Sequence, residues 1–312
     1  MCGMNFDQKR QYLQTKLKEY LEHSLPADSF AEVYKYALFP TGKLLRPLLV
    51  NTMACDLGLD PNSSDFVHLA LSTEIHHTYT LVHDDLPCMD DDDERRGKPA
   101  THKAYGLWQA TLAGDGLLNL SYQALSKIKG QNLGALLNYY GWCLGPKGLI
   151  QGQVQDLSHL AENGFDQLLS THILKTGRLF QLCLAGPCII SGKSSVFWSA
   201  HRMGRDLGIA FQLLDDLSEL SEPNISEHEK EINPFINHPE LASAQLCYRI
   251  KKLKNCTSRN NWNSLDQFVD YLIAKFKKQI NAQNADVLLS HTGTRDALTK
   301  VFSLLESINH PN

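Results

Sequence analysis

The sequence lacks the features that mark several large classes of protein. Its eight cysteines show no CxxC pair and no zinc-ligand spacing, and their mostly apolar neighbours indicate a reducing compartment. Basic residues number 30 against 34 acidic ones, so the net charge of −4 gives no general attraction to nucleic acid or anionic membrane. No basic segment followed by an apolar one, the mark of a secretory signal, lies near the N-terminus. These absences predict a cytoplasmic protein.

Long apolar runs and strand patterns are also scarce. The most apolar run, residues 179–190, is too short to span a bilayer and contains Gln181, Gly186 and Pro187, so no membrane insertion is expected. No hairpin-type dipeptide lies between alternating apolar runs. Apolar residues recur instead at helical spacing, which predicts an all-α fold. We expect helices over residues 6–23, 28–38, 43–57, 64–85, 108–129, 131–144, 147–160, 166–186, 194–220, 240–254, 263–280 and 294–307, with loose connections at 221–239 and 255–263.

A dense acidic cluster follows the predicted helix 64–85. Residues 83–97 contain seven acids beside two arginines, and such close like charges repel one another unless a cation binds. Pro87 should stop the helix just after Asp84 and Asp85, which lets the chain turn and bring Asp90 back towards Asp84. Carboxylate oxygens that bridge to substrate phosphates are typical ligands of Mg²⁺. These three residues therefore predict a magnesium site, whereas residues 91–94 fit a solvated loop equally well.

A second acidic set lies on the predicted helix 194–220. Asp215 and Glu219 are four residues apart and share one helix face, with Gln212 one turn earlier. Gly208 and Gly204 continue this stripe. The pattern predicts a second metal site at the mouth of a groove, and an amphipathic surface helix is the alternative.

Basic residues separate from both acidic sets indicate a second anion site. Lys43 and Arg46 stand where a helix is expected to begin, and free N–H groups at a helix N-terminus favour anions. His77 lies two turns before Asp84 on the same face, although a lone histidine on an apolar helix is more often a core residue. Adjacent arginines on a loop point in different directions, so Arg95 and Arg96 can serve two anions or simply neutralise the acids.

Two further basic positions lie later in the chain. Lys175 and Thr176, followed by a glycine, interrupt an apolar helix. Lys230 lies in a polar loop, where a solvated lysine is the simpler interpretation. Two acidic sets with separate basic groups suit two diphosphate substrates, one that leaves and one that stays. Mg²⁺ and basic side chains stabilise the charge on the departing diphosphate. Its departure leaves a carbocation, which a dry cavity protects from water.

Several of these motifs resemble those of one enzyme family. Residues 77–90, with the run 95–99, resemble the first aspartate-rich motif of the trans-prenyl diphosphate synthases, in the form with two extra residues. Within that family the chain is most similar to bacterial farnesyl diphosphate synthases, or geranyltranstransferases, over residues 30–220 and more weakly beyond. Further matches follow in the family's order: Gly42-Lys43-x-x-Arg46-Pro47, Gly152-Gln153-x-x-Asp156, Lys175-Thr176-Gly177 and Phe211-Gln212-x-x-Asp215-Asp216.

The resemblance implies a fold, a reaction and a set of roles. The fold is a single-domain isoprenoid-synthase helical bundle around a deep central cavity, spanning residues 1–312, with its C-terminal helices at 240–307. The reaction is head-to-tail condensation of isopentenyl diphosphate with dimethylallyl or geranyl diphosphate, in a homodimer with about three Mg²⁺ ions per site. The implied metal ligands are Asp84, Asp90 and Asp215, supported by Asp85, Asp216 and Glu219. The implied isopentenyl site is Lys43, Arg46, His77 and Arg96, and the allylic site is Arg95, Lys175 and Lys230. Thr176 and Gln212 place oxygens near the cation, and Gln153 with Asp156 supports the cavity.

The resemblance also implies how product length is set. Tyr79 lies five residues before Asp84, roughly 7–8 Å along the helix. An aromatic residue there floors the tail pocket of the family and stops growth near fifteen carbons, whereas the smaller Thr80 would not. Tyr79 can equally be a core residue.

Some positions depart from the family pattern and keep alternatives open. Thr41 and Leu44 replace a glycine and an arginine, Glu219 replaces an aspartate, and residues 229–234 match the family loop only loosely, which weakens the role of Lys230. A non-catalytic, regulatory synthase-like subunit and a synthase of geranyl or geranylgeranyl diphosphate are therefore alternatives. A terpene cyclase is a third, although a cyclase needs no second diphosphate site.

Overall fold

The computed structural model describes residues 2–220, 231–281 and 295–307, and these residues are almost entirely helical, which confirms the predicted all-α class. A 3₁₀ helix (Leu160–Asn163), a π-helix (Ile173–Gly177) and a two-stranded antiparallel hairpin, β1 (Glu94–Arg95) with β2 (Lys98–Pro99), accompany the α-helices. The α-helices are α1 (Phe6–Ser24), α2 (Ala31–Leu38), α3 (Leu45–Asp56), α4 (Ser64–Asp84), α5 (Thr101–Tyr105), α6 (Leu107–Leu125), α7 (Leu133–Leu144), α8 (Leu149–Leu157), α9 (Phe165–His172), α10 (Arg178–Ile190), α11 (Ser194–Glu219), α12 (Pro234–Asn237), α13 (Pro239–Asn260), α14 (Asn263–Asn281) and α15 (Arg295–Ser307).

Three local expectations were wrong. The loose connection expected at 255–263 is largely helical, because α13 continues to Asn260 and its polar residues occupy an exposed face. The helix expected to end at residue 186 continues through Pro187 to Ile190. Helix α5 and the hairpin were not expected, since both are too short to show a periodic pattern. Residues 221–230 of the other expected connection lie outside the described residues.

The chain divides into two compact units, and unit 1 comprises Met1–Asn138 with Gly186–Lys193. Its central helix is α4, which packs against α1, α3 and α6. Of the 21 residues of α4, 14 are buried, so the helix is covered by protein on nearly all sides. The apolar cluster at its C-terminal half contains Ile75, Tyr79 and Val82, together with Ala110 and Leu117 of α6.

Unit 2 comprises Tyr139–Ala185 with Ser194–Asn312, and its central helix is α11. A Cβ atom at Gly208 would lie 2.4 Å from the Cα of Gly177 in the π-helix, and one at Gly204 would lie 2.5 Å from the Cα of Gln181 in α10. The two glycines therefore permit close packing of helices. The expectation that they line an open groove was wrong, because a glycine stripe favours either arrangement and the sequence does not say what faces it.

The structure joins Cys2 and Cys55 by a disulfide between the N-terminal segment and α3, with the two Cα atoms 5.6 Å apart. The other six cysteines form no disulfide. The disulfide does not fit the reducing compartment that the cysteine pattern predicts. The 53-residue separation of Cys2 and Cys55 along the chain gave no sign of their proximity.

One helical stretch of the described residues has the length and composition of a membrane span. Phe165–Ile190 contains 26 residues, 61% of its most apolar window is buried within the protein, and the buried core helix of a soluble protein passes the same test.

Candidate active site

The acidic cluster of unit 1 starts where α4 ends. The helix stops at Asp84 as Pro87 predicts, and the backbone N–H of Asp90 donates to the carbonyl oxygen of Asp84 at 2.9 Å. The chain thus turns back on itself, as expected from the helix break. Both carboxylates therefore lie at the C-terminal end of the helix, where the helix dipole is negative. Asp84 is half-buried and Asp90 is exposed.

Asp85 differs from these two carboxylates because it is buried and paired. Only 2% of its side chain is exposed, and its Oδ1 accepts hydrogen bonds from Nε and Nη2 of Arg95 at 2.8 and 2.5 Å. Nη2 of Arg95 also lies 2.5 Å from Asp92. Burial raises the pKa of Asp85, and the hydrogen bonds and charge of Arg95 oppose that shift. Asp85 therefore orients Arg95 beside the proposed metal carboxylates.

The two adjacent arginines contact different groups, as predicted. Arg95 ends β1, and Arg96 and Gly97 form the two-residue turn to β2 with φ angles of 56° and 73°. Positive φ at both turn residues is typical of a type I′ hairpin, which matches the twist of the strands. Arg96 is thereby directed away from Asp85, and its Nη1 donates to the carbonyl oxygens of Leu38 and Pro40 at 3.4 and 3.3 Å.

Arg96 faces a buried carboxylate that the sequence did not single out. Nη2 of Arg96 lies 3.6 Å from Oε1 of Glu74, a residue of α4 that is 3% exposed. Burial raises the pKa of Glu74, and the charges of Arg96 and Arg46 oppose that shift. The same two arginines act on His77, whose pKa is well below its usual value, first through burial and then through their charges. The structure therefore brings Arg46, His77 and Arg96 together around Glu74.

The loop before α3 lies against Arg96 of this basic cluster. A Cβ atom at Gly42 would lie 3.3 Å from Nε of Arg96, so the loop passes directly against the guanidinium. Helix α3 begins at Leu45 after Leu44, which adopts a left-handed conformation. Lys43 thus lies in the exposed loop, two residues before the helix, rather than at the expected helix start. The neighbouring Lys98 holds this region, since its Nζ donates to the carbonyl oxygens of Tyr36 and Phe39.

Tyr79 packs in the apolar cluster beneath the acidic residues. Its side chain is 6% exposed and makes edge contacts with His76 and His83, whose ring centroids lie 4.6 and 5.6 Å away. Burial, followed by the charge of Asp84, raises the pKa of Tyr79 to about 12, so the phenol stays neutral. Thr80 is 9% exposed and its hydroxyl donates to the carbonyl oxygen of His77 at 2.8 Å. The position of Tyr79 is compatible with both a pocket floor and a core residue.

In unit 2, a chain of hydrogen bonds fixes Asp216 near the end of α11. The hydroxyl of Thr176 donates to Oε1 of Gln212 at 3.1 Å, and Nε2 of Gln212 donates to Oδ1 of Asp216 at 3.0 Å. Asn233, which is 1% exposed, donates to the carbonyl oxygen of Asp216 at 2.8 Å. Because Gln212 is held at both ends, the oxygen that Thr176 and Gln212 present is oriented before any substrate binds.

Lys175 lies in the π-helix, a local widening of the helix that often marks functional sites. Its Nζ lies 2.5 Å from Oδ2 of Asp156 in α8. His172, one turn earlier, is buried, and burial lowers its pKa to about 4. Gln153 is 8% exposed, and its Nε2 has no hydrogen-bond partner among the residues described. Asp156 thus contacts Lys175 directly, and the support role of Gln153, one turn earlier on α8, stays a prediction.

Asp215 and Glu219 lie half-buried one turn apart on α11, as their spacing predicts. Lys230 lies outside the described residues.

The oxygen donors fit magnesium in kind. Asp84 and Asp90 supply hard carboxylate ligands, and Mg²⁺ commonly uses one or two carboxylates while substrate phosphates and waters complete its octahedron. Within residues 2–220, 231–281 and 295–307, no group of three acidic, histidine or cysteine side chains forms a preassembled metal site.

Four contributing residues escaped the sequence reasoning: Glu74, Lys98, His172 and Asn233. Each acts through a partner distant in sequence, as when Asn233 reaches back 17 residues to Asp216. Only Glu74 carried a usable signal, because a carboxylate one turn before His77 on an otherwise apolar helix needs a cation beside it.

Known proteins resemble this chain over most of its length. A family model described as polyprenyl synthetase matches residues 27–232. The chain is 33% identical over 264 residues to a farnesyl diphosphate synthase of Bacillus subtilis (strain 168), covering 79% of this chain and 88% of that protein. It is 34% identical over 227 residues to a geranylgeranyl diphosphate synthase of Pseudescherichia vulneris, covering 70% and 74%. A solved geranyltranstransferase from Thermotoga maritima superposes with a TM-score of 0.75 at 26% identity, covering 88% of this chain and 99% of that one.

Proposed function

Since the chain belongs to the polyprenyl synthetase family and is a prenyltransferase, we propose that it is a farnesyl diphosphate synthase. It would join isopentenyl diphosphate to dimethylallyl diphosphate and then to geranyl diphosphate. The single observation that best supports this reaction is the division of the basic side chains in unit 1. Arg95 is held by Asp85 beside the acidic residues, whereas Arg96, Arg46 and His77 form a separate cluster around Glu74.

This division suits two diphosphates with different fates. The allylic diphosphate must leave with the electron pair of its C–O bond, so we assign to it Arg95 and the carboxylates Asp84 and Asp90 of unit 1. The family resemblance implies the same role for Lys175 and Asp215 of unit 2. Isopentenyl diphosphate keeps its diphosphate group during the reaction, so a basic cluster that binds this anion without a metal is sufficient to hold it. Mg²⁺, when bound, would neutralise the charge that develops on the departing diphosphate.

The residues of unit 2 would handle the carbocation. Thr176 and Gln212 present oxygen atoms whose orientation is fixed by the bond to Asp216, and partial negative charge stabilises a nearby allylic cation. The double bond of isopentenyl diphosphate then attacks the cation, a carbon–carbon bond forms, and a proton leaves the isopentenyl unit to the released diphosphate. The product is one isoprene unit longer and is again an allylic diphosphate.

We infer the fifteen-carbon product from Tyr79. Its ring is fixed by edge contacts with His76 and His83 on the same helix, below Asp84. A rigid aromatic ring there would end the space available to the growing chain. The likeness to a geranylgeranyl diphosphate synthase supports a twenty-carbon product as the second candidate.

The proposal extends to assembly and location. Apolar side chains of α6, Leu107, Leu112 and Tyr122, are between 39% and 56% exposed, which supports the proposed homodimer. A magnesium requirement and a cytoplasmic location are part of the same proposal.

The test is elongation by the purified chain with Mg²⁺, labelled isopentenyl diphosphate and each allylic primer, followed by chromatography of the product. A fifteen-carbon product supports the proposal, and a twenty-carbon product supports the second candidate. A cyclic hydrocarbon would indicate a cyclase. No elongation with any primer would indicate a non-catalytic subunit. The variant Asp84→Asn is the matched control, since it removes one ligand charge without changing the shape of the side chain.

A further inference from the structure

Unit 2 carries a group of aromatic and basic side chains that the proposed reaction does not use. We define the basic–aromatic face as the connected set on α7, α10, α11 and α13 that surrounds His201 and Asp206. Its members are Trp142, Arg178, Trp198, Arg202, Arg205, Tyr248, Arg249, Lys252 and Arg259.

The aromatic members are unusually exposed. Trp198, in the first turns of α11, is 61% exposed, and Tyr248 on α13 is 50% exposed. Trp198 is connected to the ring of Trp142 through His201, whose centroid lies 5.5 Å from that of Trp198 and 5.8 Å from that of Trp142. The guanidinium carbon of Arg178 lies 4.0 Å from the ring centroid of Trp142. Large rings are thus left in water beside cations instead of packing in the core.

The basic members join the rings into one surface. Helices α11 and α13 pack together, and the buried Asp206 is the acid between them. Asp206 Oδ1 lies 2.6 Å from Arg249 and 3.4 Å from Arg205, and Asp206 Oδ2 lies 3.5 Å from Lys252. The basic chains of Arg249 and Lys252 also lie over the ring of Tyr248, at 5.3 and 5.2 Å. Burial raises the pKa of the Cys256 thiol, and the charges of Arg202 and Arg259 both oppose that shift. The Sγ atom of Cys256 lies 4.0 Å from the carbonyl oxygen of Ser199 in α11.

The charge of this face opposes that of the whole chain. Three of its six cations, Arg205, Arg249 and Lys252, lie within 3.5 Å of the carboxylate of Asp206. The other three, Arg178, Arg202 and Arg259, lie near His201 or Cys256. The net charge of the chain is nevertheless −4, and residues 241–260 contain five basic residues and no acidic one. Positive charge is therefore concentrated on one part of an otherwise acidic protein.

We propose that the basic–aromatic face docks the protein on a membrane surface that contains anionic lipid. Tryptophan and tyrosine rings favour the level of the lipid headgroups, where one side is apolar and the other wet. Arginine and lysine close to such a surface are attracted to its anionic headgroups. Leu241, which is 52% exposed on α13, adds apolar area that a lipid boundary accepts.

A membrane fits these observations better than a nucleic acid does. Local positive charge attracts either anionic surface within about one Debye length, near 10 Å, and the exposed apolar side chain of Leu241 favours a lipid boundary over a nucleic acid. The contact would be reversible, since the face supplies a few rings and cations and no segment that enters the bilayer. The inference does not depend on the proposed activity or on product length.

The experiment measures co-sedimentation of the full chain with vesicles of phosphatidylcholine alone and of phosphatidylcholine mixed with phosphatidylglycerol. Binding should require phosphatidylglycerol and should weaken as salt is raised. The variant Arg202→Gln with Arg259→Gln removes two charges that do not contact Asp206. We expect affinity to fall about fivefold per neutralised residue, or about 25-fold for the pair. The matched control is Lys127→Gln with Lys278→Gln, two exposed lysines outside the face, and it should bind like the unmodified chain.

A second pair of variants tests the aromatic part. Trp198→Phe should keep most of the vesicle binding, and Trp198→Ser should lose it, while melting temperatures show that both variants fold. Equal binding to the two kinds of vesicle, or unchanged binding of the Arg202 and Arg259 variant, would overturn the proposal. Tighter binding to a single-stranded RNA oligonucleotide than to vesicles at the same salt would also overturn it.

Discussion

The replacement Glu74→Gln tests how the isopentenyl site is held in place. Glu74 is 3% exposed, and its Oε1 lies 3.6 Å from Nη2 of Arg96, whose side chain is 16% exposed. Glutamine keeps the shape and removes the charge, so Arg96 and Arg46 lose the carboxylate between α4 and the loops. Breaking a buried ion pair typically costs about 3–5 kcal/mol. The long separation, the carbonyl partners of Arg96 at Leu38 and Pro40, and the raised pKa of Glu74 all indicate that the arginines do not fully offset the burial of this charge, so we expect the unfolding free energy to change by no more than about 1 kcal/mol.

The kinetic consequence should be specific to one substrate. Because Arg96 is no longer directed by Glu74, we expect the KM for isopentenyl diphosphate to rise about tenfold, the equivalent of about 1.4 kcal/mol, with little change in the allylic KM. Steady-state kinetics with each substrate varied in turn measures both constants. A lower isopentenyl KM in the variant would refute the positioning role, since it would mean that Glu74 merely offsets the attraction of the arginines for the anion.

The pH dependence of stability gives an independent readout. Burial raises the pKa of Glu74, so between the usual pKa and the raised one the folded state holds the proton more tightly than the unfolded state. Stability from this group is therefore complete at low pH and is lost as pH rises through the folded-state pKa. Denaturant unfolding across pH should show a flatter dependence for Glu74→Gln. The control is Glu32→Gln, which breaks an exposed pair with Lys35 and should change the unfolding free energy by about 0–1 kcal/mol.

Three further predictions follow from the same contacts. Replacing Tyr79 by alanine should lengthen the product, which chromatography measures. Removing a buried aromatic ring costs about 3–5 kcal/mol of unfolding free energy, so Tyr79→Met serves as a better-folded second variant. Unchanged product length in both variants would contradict the assignment of Tyr79 as the pocket floor. Lys175→Met should fold normally, since the ion pair of Lys175 with Asp156 is about one-third exposed. The variant should raise only the KM for the allylic substrate. An equal rise in KM for both substrates would argue against placing Lys175 in the allylic site. The ring of His77 should remain neutral in the free protein, because burial and the charges of Arg46 and Arg96 lower its pKa. Its NMR signals, assigned with the variant His77→Gln, should not titrate between pH 8 and pH 6. A titration midpoint near the ordinary value would show that these charges do not act on His77.

Local rules predicted much of the acidic end of α4. Pro87 predicted where the helix stops, and the return of Asp90 towards Asp84 followed from that stop. The divergence of Arg95 and Arg96 followed from their adjacency on a loop. These features depend on neighbours within a few residues, which is why a sequence can reveal them.

Features that depend on tertiary partners were missed or misread. The stripe of Gly204 and Gly208 was interpreted as a groove, but a close neighbour occupies that side, and the sequence of one helix does not identify its neighbour. Glu74 was missed for the same reason, since its partners lie on a hairpin and on α3. The disulfide between Cys2 and Cys55 likewise depends on how α1 and α3 are placed in unit 1.

The central claim is that one diphosphate departs while the other is kept, and product stoichiometry tests this most directly. The purified chain is supplied with Mg²⁺ and geranyl diphosphate, and inorganic diphosphate is measured before and after isopentenyl diphosphate is added. The account predicts negligible release before the addition and afterwards one diphosphate for each isopentenyl unit incorporated. Rapid release without incorporation, or no release in either stage, would contradict it.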